Sequence, residues 1–94
     1  MILSYRDSRT RALAEGLPIK AFQGFARAAW RRLEILDAAN SLQDLRGLRS
    51  NRLEALRGDR KGQHSIRINK QWRICFKWPT GAPGPSDVEI IDYH

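Results

Sequence analysis

The chain has 94 residues, enough for one domain with a single core, and its 41% hydrophobic content argues against a disordered chain. Its formal net charge of +7 is concentrated in residues 46–77, which hold ten Lys or Arg and two acidic residues. Thirteen of the seventeen basic residues are Arg, whose planar guanidinium suits phosphate, so the charge favours a nucleic-acid partner. The absence of any long apolar run argues against a membrane span.

The first predicted elements are a short strand and a short helix. Residues 1–5 form an apolar segment, which we expect at the edge of a sheet. Asp7 or Ser8 can accept a hydrogen bond at the start of a helix that ends near Glu15. Gly16 follows and can take the left-handed conformation that ends many helices.

A second helix is the clearest prediction of the first half. Pro18 suits its first turn, and we expect the helix to end near Asn40. Apolar residues recur every three or four positions and predict one buried face, which Trp30 widens: Phe22, Phe25, Ala26, Ala29, Trp30, Leu33 and Leu36. We expect residues 41–51, with leucines among arginines and a glycine, to form an ordered loop or a single turn.

Residues 66–78 predict a β-hairpin. The apolar residues that alternate along it are Ile66, Ile68, Trp72, Ile74, Phe76 and Trp78, and the residues between them are mostly basic. The two arms keep this alternation only if the turn takes an odd number of residues, and residues 69–71 fit, with Asn69 able to take a positive φ. This register places Arg67 directly opposite Arg73.

Facing arginines repel each other, and native sheets usually avoid such pairs. Arg67 and Arg73 would lie near Lys77, with Arg60 and Lys61 at the mouth of the hairpin. An anion bound between these cations would account for the arrangement. A solvated face rich in arginine is the alternative.

The remaining segments complete a small sheet. Residues 53–57 begin it, residues 58–62 turn into the hairpin, and a proline-rich connection at 79–86 leads to a last strand at 87–94. The predicted architecture is α+β, with two N-terminal helices packed on one face of a small, mainly antiparallel, twisted sheet. We expect residues 1–94 to form a single domain.

Two stretches resemble a known family. Residues 56–78, LRGDRKGQHSIRINKQWRICFKW, and the final Asp-Tyr-His at 92–94 are similar to HigB, a toxin of the RelE/ParE superfamily found in bacterial type II toxin–antitoxin pairs. The resemblance implies a RelE-like fold and a ribosome-dependent endoribonuclease that cuts messenger RNA. It also implies a HigA-like antitoxin with a helix-turn-helix domain. Operator DNA would be bound only through the complex with this antitoxin.

Metal-free cleavage of RNA needs a base for the ribose 2′-hydroxyl, an acid for the leaving 5′-oxygen and cations around the phosphate. Arg73 and Arg67 suit the phosphate. His94 can serve as acid or base, and Tyr93 could do so if nearby guanidinium groups lowered its pKa. Asp92 could orient His94, act as the base or be structural. The resemblance carries Arg73, Asp92, Tyr93 and His94 over as active-site residues, whereas Arg67 rests mainly on the pairing argument.

Other residues complete the predicted site. The basic residues expected to bind RNA or the ribosome are Arg57, Arg60, Lys61, Arg67, Lys70 and Lys77. Some relatives carry a histidine where this chain has Glu54, and His64 stands where they carry an aromatic residue. Glu54 could therefore replace a catalytic group, while His64 more often belongs to the edge of a core.

Composition also limits the chemistry. Two His, one Cys and scattered acids show no spacing typical of zinc, and no glycine-rich phosphate loop is present, so we expect neither a metal nor a cofactor. Cys75, the one cysteine, is expected to be structural, and the protein to be cytosolic. Two other functions stay open: inhibition of DNA gyrase without cleavage, and a non-catalytic RNA- or ribosome-binding module.

Overall fold

A computed structural model describes residues 1–93. Within that range the helices are α1 (Ser8–Ala14), α2 (Ala26–Ala38) and α3 (Leu42–Gly47), and the strands are β1 (Glu54–Ala55), β2 (Gln63–Arg67), β3 (Trp72–Lys77) and β4 (Ser86–Asp92). The strands form one antiparallel sheet in the order β1-β2-β3-β4. The predicted α+β fold is confirmed, with a third short helix that the sequence analysis did not include. His94, the last residue of the predicted final strand, lies outside the described residues.

The core lies between the helices and one face of the sheet. Leu33 and Leu36 of α2 are buried in the same apolar cluster as Ile66 of β2 and Ile74 of β3. Burying each such side chain contributes about 1.5–3 kcal/mol relative to leaving it in water. Because successive residues of a strand point to opposite faces, the residues between these apolar ones lie on the other, helix-free face of the sheet.

The hairpin register is confirmed. Ile66 pairs with Ile74, and Arg67 pairs with Arg73. The expected use of Asn69 is wrong in one respect, because Asn69 does not adopt a positive φ. Its side-chain Oδ1 instead accepts hydrogen bonds from the backbone N–H groups of Gln71 and Trp72, both at 2.8 Å. Asn69 therefore closes the turn with its carboxamide.

The N-terminal segment and α1 largely follow the prediction. Leu3 N–H donates to the carbonyl of Pro85 at 2.8 Å, and Tyr5 forms a single parallel bridge with Val88, so residues 1–5 lie beside β4. Asp7 Oδ1 accepts from the N–H of Thr10 at 2.7 Å and thereby caps α1. This capping bond stabilises the helix by about 1 kcal/mol.

α2 begins later than predicted. Pro18 does not open it; a 3₁₀ turn at Lys20–Phe22 comes first, and the helix starts at Ala26. The turn directs Phe22 into the core, where its fully buried ring packs edge-on against Trp72 at 5.9 Å. Trp30 was also wrongly expected in the core, since 41% of it is exposed. On a helical projection it lies about 100° from Ala29 and about 60° from Leu33, outside the buried stripe.

Residues 41–51 are more helical than the sequence analysis expected. Ser41 Oγ accepts from the N–H of Asp44 at 3.3 Å, and Asp44 Oδ2 accepts from the N–H of Asn40 at 2.9 Å. These reciprocal bonds resemble a capping box and start the six-residue α3, which buries Leu45. No helix within residues 1–93 has the length and apolar character needed to cross a membrane.

Candidate active site

A cleft of about 650 Å³ opens on the helix-free face of the sheet. It lies where β1, the β2–β3 turn and the residue after β4 meet. Its lining residues are Arg52, Leu53, Glu54, Arg67, Asn69, Lys70, Arg73 and Tyr93. Both facing arginines therefore border the same cleft, as the register predicted.

Arg73 is fixed in place by three hydrogen bonds. Its Nε donates to Ser65 Oγ at 2.7 Å, and its Nη2 donates to the carbonyls of Arg52 at 2.6 Å and Ser65 at 3.3 Å. These groups cover the side chain, which is buried. All three acceptors are uncharged, so they orient the guanidinium without neutralising it. The positive charge of Arg73 is available to the cleft.

Arg67 stands across the ladder from Arg73. Its Nε donates to the carbonyl of Asn69 at 3.0 Å, again an uncharged acceptor, and the residue is half-buried. Two oriented cations that face each other repel, and a bound anion would relieve that repulsion. The cleft therefore has the electrostatics of an anion site.

Tyr93 forms another wall of the cleft. Its ring centroid lies 5.5 Å from Cζ of Arg73, and its Oη donates to Glu54 Oε1 at 3.0 Å. The hydrogen bond to Glu54 and the negative charge of that residue raise the pKa of Tyr93, although Arg73 acts in the opposite direction. The sequence analysis made a role for Tyr93 conditional on a pKa lowered by guanidinium groups; Arg73 acts in that direction, but the carboxylate of Glu54 is the stronger influence. The phenol therefore keeps its proton at neutral pH.

The remaining predicted catalytic residues are not all brought together. Asp92 is exposed, accepts a hydrogen bond from Gln71 Nε2 at 2.9 Å and does not line the cleft, although it precedes Tyr93 directly. The backbone N–H of Tyr93 donates to the carbonyl of Gln71 at 2.6 Å, which ties this end of the chain to the hairpin turn. His94, outside the described residues, follows immediately in the sequence.

The predicted basic residues divide into two groups. Lys70 lines the cleft with Arg67, and Arg57 lines an adjoining hollow of about 380 Å³ that also includes Glu54 and Tyr93. Arg60, Lys61 and Lys77 do not reach the cleft.

Ion pairs with acidic residues explain why Arg60 and Lys77 lie away from the cleft. Arg60 Nη1 lies 2.7 Å from Glu89 Oε1, and Lys77 Nζ lies 3.3 Å from Asp87 Oδ2. Lys61 is exposed in the turn before β2. The expected cluster at the hairpin mouth is therefore not formed, because ion pairs hold Arg60 and Lys77 elsewhere.

Glu54 and His64, the two residues of uncertain role, have different positions. Glu54 borders the cleft and accepts from Tyr93. His64 is half-buried and stacks on Phe76 with ring centroids 6.1 Å apart. Burial, followed by the charge of Arg46, lowers the pKa of His64. Its Nδ1 is buried and has no hydrogen-bond partner among the described residues. His64 therefore belongs to the core edge and not to the cleft.

Arg52 is the site residue that the sequence analysis missed. Arg52 lines the cleft, and its carbonyl accepts a hydrogen bond from Arg73. Its backbone has φ 46° and ψ 53°, a left-handed conformation that costs about 1–2 kcal/mol in a residue other than glycine. Arg52 precedes β1, so no strand alternation marked it. Strained residues of this kind often occur at functional sites.

Other chemistry has few candidate groups. Among residues 1–93, no three His, Cys, Asp or Glu side chains are grouped so that they could hold a metal ion. Cys75 is fully buried, and burial raises the pKa of its thiol to about 11. Such a thiol is unreactive at neutral pH.

The fold and cleft together define a small α+β domain with a cationic cleft on an open antiparallel sheet. Residues 19–94 match the family model of the RelE-like toxin of the type II toxin–antitoxin system HigB, and the chain belongs to this family of HigB-like toxins. The resemblance found in the sequence is thus confirmed.

Two curated proteins illustrate the relationship. The chain is 54% identical over 55 residues to Toxin HigB-1 of Vibrio cholerae serotype O1, an alignment that covers 58% of each chain. It is 38% identical over 48 residues to an uncharacterized protein of Haemophilus influenzae, covering 51% of this chain and 48% of that protein. The chain therefore spans about half the length of the curated relatives it matches.

Proposed function

We propose that this chain is the toxin of a type II toxin–antitoxin pair and acts as a metal-independent endoribonuclease that cuts messenger RNA on the ribosome. Membership of the HigB-like family supports the toxin assignment. The observation that carries the chemical assignment is the meeting of Arg67, Arg73, Tyr93 and Glu54 around one cleft. These residues supply two oriented cations, a protonated phenol and a carboxylate.

In the proposed reaction the ribose 2′-oxygen loses its proton and attacks the adjacent phosphorus. The bond from phosphorus to the 5′-oxygen breaks, the departing oxygen receives a proton, and the other product ends in a 2′,3′-cyclic phosphate. Arg73 and Arg67 stabilise the negative charge that develops on the phosphate oxygens. Because Ser65 and Arg52 already hold Arg73, little reorganisation is needed when the charge develops.

We assign the proton transfers from the surroundings of each group. Tyr93 suits the acid that protonates the 5′-oxygen, because its phenol lines the cleft and carries a proton at neutral pH. Glu54 accepts the Tyr93 hydrogen bond and holds the hydroxyl in place. His94 is assigned the base, since an imidazole titrates near neutral pH, and Asp92 is assigned the task of orienting it.

The proposed partners follow from the class of system. A HigA-like antitoxin with a helix-turn-helix domain would neutralise the toxin and would carry the contact with operator DNA. The ribosome would position the messenger in the cleft, with Lys70 and, in the adjoining hollow, Arg57 as candidate RNA contacts. A toxin that acts on the ribosome would work in the bacterial cytoplasm.

The test is cleavage by the purified protein on stalled ribosomes, with the ends of the messenger mapped by primer extension. We expect cuts at the decoding site, 2′,3′-cyclic phosphate ends and no inhibition by a metal chelator. Arg73→Ala or His94→Ala should abolish the cuts while circular dichroism shows an intact fold.

Three other outcomes would overturn the proposal. Undiminished cleavage by both variants would show that the assigned groups are wrong. Intact messenger with inhibited DNA supercoiling by gyrase would indicate a non-cleaving toxin. Salt-sensitive ribosome binding without products would indicate a simple binding module.

A further inference from the structure

A buried asparagine joins the helical layer to the segment that borders the cleft. Asn51 ends the 3₁₀ turn at Arg49–Asn51, directly before Arg52, and none of its surface is exposed. Its Nδ2 donates to the carbonyl of Leu45 in α3 at 3.0 Å, and its Oδ1 accepts from Nη1 of Arg32 in α2 at 2.8 Å. Only one orientation of the carboxamide satisfies both neighbours, because a carbonyl accepts and a guanidinium donates. The side chain of Asn51 is therefore fixed from two helices.

Arg32 makes this contact without a counter-ion. It is half-buried, and burial, followed by the charge of Arg31, lowers its pKa. Its Nη1 also donates to Ser50 Oγ at 3.2 Å, and among residues 1–93 no carboxylate lies within 4 Å of it. Stability alone does not account for a half-buried cation that has no opposite charge beside it. Its two hydrogen bonds instead hold residues 50–51 against α2.

The residue that follows Asn51 connects this contact to the cleft. Arg52 has a left-handed backbone, φ 46° and ψ 53°, which an arginine keeps only when its surroundings hold it there. In this conformation its carbonyl accepts from Nη2 of Arg73 at 2.6 Å. The peptide plane before residue 52 is shared with Asn51, so holding Asn51 in place restricts where the carbonyl of Arg52 points.

We propose that Arg32 and Asn51 are positioning residues for Arg73, although neither lines the cleft. The contact between them holds Arg52 in its left-handed conformation, and the carbonyl of Arg52 in turn orients the guanidinium of Arg73. The proposal rests on the proposed function, because it concerns the group that stabilises the phosphate. Substitution of Arg32 should therefore loosen Arg73 without removing any charge from the cleft.

A purely structural role for the two residues would have different consequences. Asn51 also anchors α3 through the carbonyl of Leu45, and loss of a structural hydrogen bond lowers stability without changing how Arg73 is held. Positioning instead predicts a slower chemical step with an unchanged affinity for the ribosome, because Arg73 acts on charge that develops in the transition state. Measurements well below the melting temperature of each variant separate the two roles.

The principal variant is Arg32→Met, which removes the donor of both hydrogen bonds and keeps an unbranched side chain. Single-turnover cleavage on stalled ribosomes at saturating protein should slow by about tenfold or more, as expected when a catalytic group is displaced. The protein concentration that gives half the maximal rate should change by less than about twofold. The matched control Arg31→Met removes the same charge from an exposed neighbour and should leave both quantities within about twofold. Arg32→Lys keeps the charge and a donor, and should recover part of the lost rate.

Double variants test whether Arg32 acts through Arg73. In the Arg73→Lys background the oriented guanidinium is absent, so adding Arg32→Met should slow cleavage by less than about twofold. Asn51→Ala and Arg32→Met break the same hydrogen bond, so their effects on the rate should not add. Equal slowing by Arg32→Met in the wild-type and Arg73→Lys backgrounds would overturn the proposal, because independent effects are additive. Slowing by Arg31→Met as large as that by Arg32→Met would also overturn it.

A second readout does not depend on cleavage. The Nε hydrogen of Arg73 is donated to Ser65 Oγ at 2.7 Å, and its exchange with solvent can be followed by nitrogen-15 NMR. We expect this exchange to be about tenfold faster in Arg32→Met than in wild type or Arg31→Met. A protein that cleaves nothing but shows this acceleration would contradict the proposed function alone. Normal wild-type cleavage, with equal exchange in Arg32→Met and Arg31→Met, would contradict the positioning role alone.

Discussion

Arg60 and Arg73 lie near the same helix-free face of the sheet, but their charges have different surroundings. Arg60 donates to the carboxylate of Glu89 at 2.7 Å and to Gln63 Oε1 at 3.1 Å. Arg73 donates to one hydroxyl and two carbonyls. An arginine paired with a carboxylate is locally neutral, whereas one held by uncharged acceptors remains a cation with a fixed orientation. The type of acceptor thus distinguishes the structural arginine from the one that can bind a ligand.

The largest effect is expected from Arg73→Lys. Lysine keeps the charge but cannot reproduce the fixed fork, so we expect cleavage on stalled ribosomes to fall by about 10²–10³-fold, the usual cost of losing an oriented donor. Lost buried hydrogen bonds should also lower the free energy of unfolding by about 1–3 kcal/mol. Single-turnover cleavage and denaturant titration measure the two effects. Full activity in this variant would show that the orientation of Arg73 is unimportant.

Glu54→Gln is expected to have the next largest effect. A neutral side chain can still accept from Tyr93 but no longer raises the pKa of the phenol by its charge, so that pKa should fall. Because the proposed acid must be protonated, the alkaline limb of the pH–rate profile should move to lower pH, with cleavage reduced by about tenfold in alkaline solution. Ultraviolet titration of the phenolate provides the independent measurement.

The folding linkage of the same group has a definite sign. A folded-state pKa raised above the unfolded value contributes stability that is present below the unfolded pKa and is lost as the pH rises through the folded pKa. Wild-type protein should therefore lose the contribution of Tyr93 only in alkaline solution, and Glu54→Gln at a lower pH. If Glu54→Gln left the alkaline limb of the pH–rate profile unchanged, Tyr93 would not be the acid.

Arg52 allows charge and backbone strain to be separated. Both Arg52→Gly and Arg52→Ala remove a cation from the cleft, and we expect each to reduce cleavage by about tenfold. Glycine adopts φ 46° without strain and alanine does not, so the glycine variant should be more stable than the alanine variant by about 1 kcal/mol. Cleavage rates and thermal melting of both variants test the two expectations. If the two variants were equally stable, the left-handed conformation of residue 52 would not be a source of strain.

The smallest effect on catalysis is expected from Arg60→Gln. Among residues 1–93, its loss leaves Glu89 with the more distant Arg6, at 3.8 Å, and should lower the free energy of unfolding by about 1 kcal/mol. Cleavage should stay within about twofold of wild type, because the cleft does not include Arg60. The same ribosome assay, run beside Arg73→Lys, makes the comparison direct. A large loss of cleavage would place Arg60 in the functional surface.

The hairpin could be predicted from sequence because two local constraints agree. The alternation of apolar residues and the odd length of the turn allow one register, and that register alone places Arg67 opposite Arg73. The same reasoning failed for Arg60 and Lys77, because their carboxylate partners, Glu89 and Asp87, come from a strand that is distant in sequence. Single-sequence patterns do not report such tertiary ion pairs.

Other differences have local causes. The start of α2 was misplaced because burial of Phe22 through a 3₁₀ turn outweighed the helical periodicity around it. α3 was missed although Ser41 and Asp44 have the spacing of a capping box. Arg52 had no comparable signal, since its importance depends on where its carbonyl points.

The wall of the cleft that carries Glu54 is formed by the shortest strand. β1 contains two exposed residues, and beyond it Leu56 N–H donates to the carbonyl of Gln63 at 2.9 Å. Segments with so few buried contacts open locally at much lower free energy than a central strand such as β3. On gentle warming, amide hydrogens of residues 54–56 will exchange with solvent while those of β3 are still protected. The proposed cleavage activity should consequently be lost at a temperature below the one at which the core melts.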